Sequence, residues 1–558
     1  MRSKSFPLVV ILAGFLAAPL FAQENDPPSR VARLSFMNGK VSLQRSGENQ
    51  WSQASLNYPL TTGDRIYADQ DSRVEIEAGS LTVRISETTD LTITTLNDQI
   101  MQFGLAQGTA RLRVFELASG NALEVDTPNG ALALLGAGDY RIDASPSDGA
   151  TIVSVFSGNL EIKSAGVSRT VRGGQAVRLA GTASVEVSAA SLPEPDSFDR
   201  WSLERDRRYQ TASANSGQYV NREIPGYADL DDYGRWQATP QYGPVWYPAA
   251  VPSGWVPYRH GHWLWIEPWG WTWVEDAPWG FAPFHYGRWV FVGAGWGWVP
   301  GPFIARPCYA PALVAFVGGP NFSIGIGIGR GGGHHAWFPL GPGEPFFPWY
   351  HHGEGYLHRL NNANLRNVRN VNEIHYVNRG NGTTVVPTPV FRSGQYIGHQ
   401  AIRVDERQLV SAPIMPHPDT TPTAMAVTGG RPAAQVPSRT YHLPEVRQGL
   451  SPQDRGPDRS QVINRRNEVR NEVNPPQRIQ QPQVMTRTPP PQPNPPFQRR
   501  EPALREHPGR PLEPRQMDNV RVGKPAGPMH DREFPPHQGQ SAKQDRMQER
   551  QKPEPKKN

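Results

Sequence analysis

Twelve of the chain's 16 tryptophans lie between Trp236 and Trp298, and the run HGHWLWIEPWGWTWVEDAPWGFAPFHYGRW from His260 to Trp289 holds seven of them. Indoles at this density do one of two kinds of work. In an exposed row they stack on sugar rings or a polymer chain; buried, they supply large apolar surface, and each aromatic pair adds about 0.5–1.5 kcal/mol beyond burial. Trp255, Trp269 and Trp279 sit in turns beside Gly or Pro and are the best candidates for a binding surface, followed by Trp263, Trp271 and Trp296. The leading reading for the set as a whole is a packed core.

Other residues with chemical potential are less organised. Cys308 stands alone in Arg306-Pro307-Cys308-Tyr309 with no base nearby in sequence, so neither an intramolecular disulfide nor a paired nucleophile is available to it. Histidines occur at His260, His262, His285, His334-His335, His351-His352 and His358. Adjacent histidines point apart in a strand, and no carboxylate or cysteine stands at ligand spacing, so no metal site is expected. Gly325 to Gly333 superficially matches a dinucleotide-binding glycine pattern but lacks the helix that must follow. No cofactor is expected, and no catalytic residue is assigned.

The tryptophans belong to a repeat. Tyr233-Gly234-Arg235-Trp236, His260-Gly261-His262-Trp263 and Tyr286-Gly287-Arg288-Trp289 recur 27 and 26 residues apart, the mark of a stacked supersecondary unit. In the middle unit Trp263-Leu-Trp265-Ile and Trp271-Thr-Trp273-Val alternate with period two around Glu267-Pro268-Trp269-Gly270. That pattern predicts a β-hairpin with Trp263 and Trp265 facing Trp273 and Trp271. A unit of this size cannot bury its own apolar face, so the three must stack on one another or on the domain before them.

Residues 31–187 read as β throughout. Short alternating runs such as Val74-Glu-Ile76, Leu81-Thr-Val83-Arg-Ile85 and Leu160-Glu-Ile162 recur between turn signals such as Asn38-Gly39, Thr62-Gly63-Asp64 and Gly173-Gly174. This spacing predicts a roll, sandwich or solenoid of short strands. Residues 188–232 form a polar connector with one short helix, whose Arg and Asp mixture is expected to be a solvated face.

Charge is segregated. From Arg431 onward there are 24 Lys and Arg against 14 Asp and Glu, with 24 of the 57 prolines and no tryptophan. So little apolar mass does not offset the entropy of ordering, and residues 413–558 are expected to be a disordered basic tail. Its runs RRNEVRNEV and KPEPKK suit an anionic partner such as lipid headgroups or acidic wall polymers. At the other end, Arg2 and Lys4, an apolar run from Leu8 to Phe21 and Ala22 read as a secretory signal peptide over residues 1–22. The run is shorter than the roughly 18 to 20 residues needed to span a bilayer, so the mature chain is expected to have no transmembrane helix.

Two resemblances follow from these motifs. The ordered pieces NGKVSLQ, TGDRIYADQDSRVEIEAGSLTVRI, QGTARLRV, TPNGALALLGAGDYRID, VSVFSGNLEI and RGGQAVRL resemble the FecR domain family over residues 31–187. That resemblance implies an envelope regulator that senses a partner protein. The chain departs from it in placing the β domain directly behind the signal peptide, with no internal membrane helix. PWGWTWV, PWGFAPFHYGRW, WGWVPGP, AWFPLGPGEPFFPWY and FRSGQYI resemble the DUF6600 domain, from about Tyr233 to Val404; this resemblance implies no activity.

The resulting expectation is an all-β chain. It has a FecR-like domain at 31–187, a linker at 188–232, a tryptophan repeat at 233–350, an extension of it at 351–412, and the tail. It would be exported to the periplasm or beyond and non-enzymatic, binding an envelope protein or a cell-wall glycan, with no nucleic acid partner. The rival expectations are a glycan or peptidoglycan binder using exposed tryptophans, and an envelope enzyme acting on glycans.

Overall fold

The computed structural model describes residues 26–164, 167–293, 295–318, 333–361, 374–430, 432–433, 491–527 and 529. The expected signal peptide, the glycine pattern up to Gly332, RRNEVRNEV and KPEPKK lie outside the described residues.

Residues 32–190 form two facing antiparallel sheets joined by one long strand, Ile100–Val114. Its first half pairs with Thr89–Leu96 and, in the one parallel pairing among the described residues, with Ala122–Thr127. Its second half pairs with Leu81–Ile85 and Gly138–Ser145 in the other sheet. The period-two pattern sets the layers, since alternate side chains point to opposite faces. Leu34, Ile76, Val83, Leu112, Ile142 and Val153 turn inward and are buried. The fold is all-β in character, a sandwich of open sheets followed by hairpins.

The alternate residues of the sheet that holds Leu81–Ile85 and Gly138–Ser145, namely Arg33, Glu75, Arg84 and Arg111, are also buried. The reason corrects the reading of residues 188–232. Ser197–Ala214 is an 18-residue helix, started by a capping box between Asp196 and Asp199, that lies across this face as a partner in a buried ion-pair network. Arg84 donates to Glu75 and Asp206 at 2.7 Å each. Arg111 binds Asp139 and Asp199, and Arg141 binds Asp196 and Asp199. Arg33 pairs with Glu77 and with Asp229, just beyond the helix. Burial pushes the Glu75 carboxyl up, but Arg84 and Arg205 more than offset this and hold it well below the usual carboxylate range. Asp199, Arg205 and Asp206 of the connector are thus complementary to a charged sheet face, while Arg200, Glu204 and Arg207 on the helix's other side are exposed.

The three repeat units are three hairpins, as the spacing predicts. Gly234–Thr239 pairs with Gly243–Pro248, Gly261–Ile266 with Gly270–Glu275, and Arg288–Val292 with Gly295–Val299. The first and third meet at Trp246 opposite Trp298 and make one four-stranded sheet; the middle hairpin stands between other elements. A further four-stranded sheet orders Thr384–Pro387, His334–Pro339, Val314–Val317 and Ile414–Met415. The 351–412 extension therefore supplies a strand to the same body as the repeat.

The expectation of a disordered tail from residue 413 is corrected for the residues described. Ile414–Met415 completes the sheet just named, and Ala424–Thr428 is a short helix. Pro432 bridges Ser52 at the sandwich edge. Phe497–Glu506 and Pro514–Arg521 are helices that bury Phe497, Leu504, Met517 and Val520, and Leu512 of the segment between them is buried as well. Average composition hides these few apolar residues, which are placed at helical spacing.

Candidate functional site

The hairpins decide where the tryptophans point. In the middle unit Trp263 stands opposite Trp273 and Trp265 opposite Trp271, with ring centroids 5.5 Å apart in both pairs and edge-to-face geometry. Both faces of this hairpin are covered: Leu264, Ile266 and Val274 are as buried as the indoles. Trp263 also meets Phe316, Trp337 and Phe391.

The candidate binding surface is corrected by this packing. Trp255 is 6 % exposed, Trp279 4 % and Trp296 7 %, while Trp263, Trp269 and Trp271 are fully buried. Trp255 and Trp279 lie in turns, but the turns fold inward. Their rings are 5.7 Å apart, and they pack against Trp289 and Trp246 respectively. Trp296 packs edge-on to the exposed Phe291. Buried indole N–H groups need acceptors, and here the backbone supplies many of them. Trp246 donates to the Leu230 carbonyl, Trp289 to Pro283, Trp298 to Tyr286 and Trp349 to Trp269.

The signature residues are equally structural. A Cβ built on Gly234, Gly261 or Gly287 would collide with the indole of Trp246, Trp273 or Trp298 on the returning strand of its own hairpin. Tyr233 and Arg235 are exposed at the start of the first unit, whereas Tyr286 and Arg288 of the third are buried. His260 contacts the Tyr396 hydroxyl at 3.1 Å, and His262 contacts Asp276 at 3.3 Å. Among the described residues no three His, Cys, Asp or Glu side chains gather as a metal site.

The structure brings together a group that spacing alone did not single out. Asn221, His285, Arg288, Phe303, Cys308 and Arg359 line a cleft of about 540 Å³, much of it open to solvent, between the connector, the third hairpin and the helix Glu354–Asn361. His285 is held between Phe281 and Tyr309, with Nδ1 2.8 Å from the Ala310 carbonyl and Nε2 without a partner. Burial lowers its pKa to about 3, so the ring is neutral with a bare lone pair on Nε2. Burial pushes the Cys308 thiol up to about 11, so it keeps its proton at neutral pH. Burial also draws Arg288 down to about 10, still cationic at neutral pH; it donates to the Glu344 and Gly287 carbonyls and to Asn361. The Tyr-Gly-Arg-Trp signature was the one sequence signal for this cleft, through Tyr286 and Arg288.

Comparisons with known proteins can be set against this geometry. Two crystal structures of a protein assigned as an anti-sigma factor from Parabacteroides distasonis ATCC 8503 are similar at 15 % identity. One covers 23 % of this chain and 60 % of its own, with a TM-score of 0.21; the other covers 28 % and 61 %, with a TM-score of 0.17. The chain thus spans about three fifths of those structures' length. No curated protein matches it. Residues 227–344, from the end of the connector through the three hairpins to the turn at Glu344, match a family of unknown function, DUF6600.

Proposed function

We propose that the chain is an exported, non-enzymatic envelope protein that works by binding a protein partner through the open edge of its sandwich, with the tryptophan repeat as the rigid body behind it. The observation that carries this reading is a pair of neighbouring edge strands. Among the described residues, Val167–Arg172 pairs only with Asn159–Ser164, and Glu186–Ala190 only with Gln175–Ala180. Ser168, Arg169, Thr170 and Arg172 are exposed on the first, and the Arg169 guanidinium reaches the Val187 carbonyl at 3.3 Å, tying the two edges together. The opposite edge of the sheet that ends in Val167–Arg172, Trp51–Gln53, is instead covered by Pro432 and Ala433 of the same chain.

An open edge offers unpaired N–H and C=O groups to an extended segment of another protein. The arginines on it oppose self-pairing and favour an acidic partner strand. A regulatory role for this contact rests on the resemblance of residues 31–187 to FecR domains, and export rests on the reading of residues 1–22. The burial of all six candidate tryptophans removes the ground for glycan stacking by them.

The test is a photo-crosslinking residue at Ser168 in the full chain, in producing cells. One defined adduct with another protein, lost when Thr170 is changed to Pro while the fold is kept, is the expected result. Absence of any adduct, or an adduct unaffected by the proline, contradicts the proposal.

A further inference from the structure

The helix Phe497–Glu506 sits in a groove between the sandwich and the middle hairpin, with Pro514–Arg521 beside it. In the first, Phe497, Arg500, Ala503 and Leu504 are buried and share one face. Arg500 is 2 % exposed. Its Nη1 donates to Glu267 at 2.7 Å, its Nη2 to Glu48 at 2.8 Å and its Nε to the Pro495 carbonyl at 2.7 Å. Glu48 belongs to a sandwich loop and Glu267 to the turn of the middle hairpin, so one guanidinium joins the two modules. Glu48 also accepts from the Phe497 N–H at 2.9 Å. Glu267 accepts from Trp265 at 3.0 Å on the same oxygen, and its other oxygen has no partner.

The groove is shaped for the backbone of this segment. A Cβ on Gly47 would stand 1.9 Å from the Asn494 carbonyl oxygen, and one on Gly270 would stand 3.1 Å from Pro511. The segment, by contrast, has little structure to bring of its own. Its helices have 10 and 8 residues, below the roughly 12–15 at which isolated helices become marginally stable in water, and Pro502 interrupts the longer one. Helix formation and docking are therefore one event, as in peptides that fold on binding.

We propose that residues 491–529 are a dissociable ligand of the chain's own body, and that the groove beneath them is a binding site for a helix whose apolar face carries one buried arginine, read by Glu48 and Glu267. Removing the segment leaves two acidic side chains and an apolar floor without their counterpart. That is costly unless another arginine takes the place.

The test uses the full chain and a fluorescent peptide of residues 491–529. In the wild type the groove is filled by the chain's own segment; in Arg500→Ala that occupant is weakened. The peptide is expected to bind the Arg500→Ala chain saturably and at least about tenfold more tightly than wild type, as a buried charge pair is restored. Adding Glu267→Gln to that chain, or Arg500→Ala to the peptide, should abolish the gain, while Arg499→Ala in the peptide, at an exposed position, should not. Equal binding to wild type and Arg500→Ala, or no binding to a folded Arg500→Ala chain, overturns the proposal. Should Arg500→Ala not fold, hydrogen exchange on the wild type decides. Amides of 497–506 exchanging much faster than those of Gly261–Glu275 support a dissociable segment, and exchange of the two together contradicts it.

Discussion

Gly261 lies directly against the indole of Trp273: a Cβ built on it would stand 2.8 Å from the ring and 2.1 Å from the Val274 carbonyl oxygen. The same relationship joins Gly234 to Trp246 and Gly287 to Trp298. The glycine of each Tyr-Gly-Arg-Trp or His-Gly-His-Trp signature is therefore the seat of an indole from the hairpin's second strand. The repeat is a device for laying a large flat side chain over bare backbone. Gly261→Ala should destabilise the chain by about 2 kcal/mol or more, the cost of overpacking against backbone that cannot yield. Gly295→Ala, a glycine of the third hairpin with open space around it, should stay within about 0.5 kcal/mol. Denaturant unfolding of both variants checks the contrast.

The helix Ser197–Ala214 is held by charge. Arg84→Met leaves Glu75 and Asp206 facing each other without their shared cation and should cost about 3–5 kcal/mol. Arg207→Ala on the same helix breaks a pair with Glu204 whose side chains are both 74 % exposed, and should leave the unfolding midpoint almost unchanged. Similar losses from both substitutions would mean that the network does not fasten the helix.

Glu275 is fully buried, donated to by the Trp273 indole at 3.1 Å, with its other oxygen unpartnered. Burial raises its pKa well above the model-peptide value of 4.5. The folded chain then keeps a proton that the unfolded chain releases once pH passes that value, so Glu275 lowers stability as pH rises above it. Glu275→Gln removes this penalty. It should raise the unfolding midpoint at pH 7 and give no advantage below about pH 4, where both states hold the proton. An advantage that does not vary with pH would contradict a protonated Glu275.

Trp255 separates core from surface most simply among the six tryptophans first considered for binding. Trp255→Ala should cost about 3–5 kcal/mol, as for a large aromatic removed from a packed interior. A ligand-stacking tryptophan on the surface would change stability by less than about 0.5 kcal/mol.

Much of this architecture is legible in the sequence where one period governs one face. Trp263, Trp265, Trp271 and Trp273 alternate around a short turn, and the cross-strand register follows. The sign of exposure was not legible, because alternation states which residues share a face and not what covers it. Glu75, Arg84 and Arg111 alternate with apolar residues as a solvated face would, yet a helix of complementary charge lies over them. Trp255 and Trp279 sit in turns, and turns are usually outside; these fold onto Trp289 and Trp246. Leu504, Leu512, Met517 and Val520 are too few to lift the mean apolar content of the tail, but each falls on a buried face. The cleft at His285, Arg288 and Arg359 joins residues far apart in sequence, and no local pattern records such a meeting.

The most direct test of the account is intrinsic tryptophan emission of the full chain, recorded during titration with purified peptidoglycan and a panel of polysaccharides, with co-sedimentation in parallel. Interior indoles held by backbone carbonyls predict blue-shifted emission that none of these polymers quenches, with the chain remaining in the supernatant. Saturable quenching accompanied by pelleting would contradict the account, because it would require the tryptophans to face a ligand instead of one another.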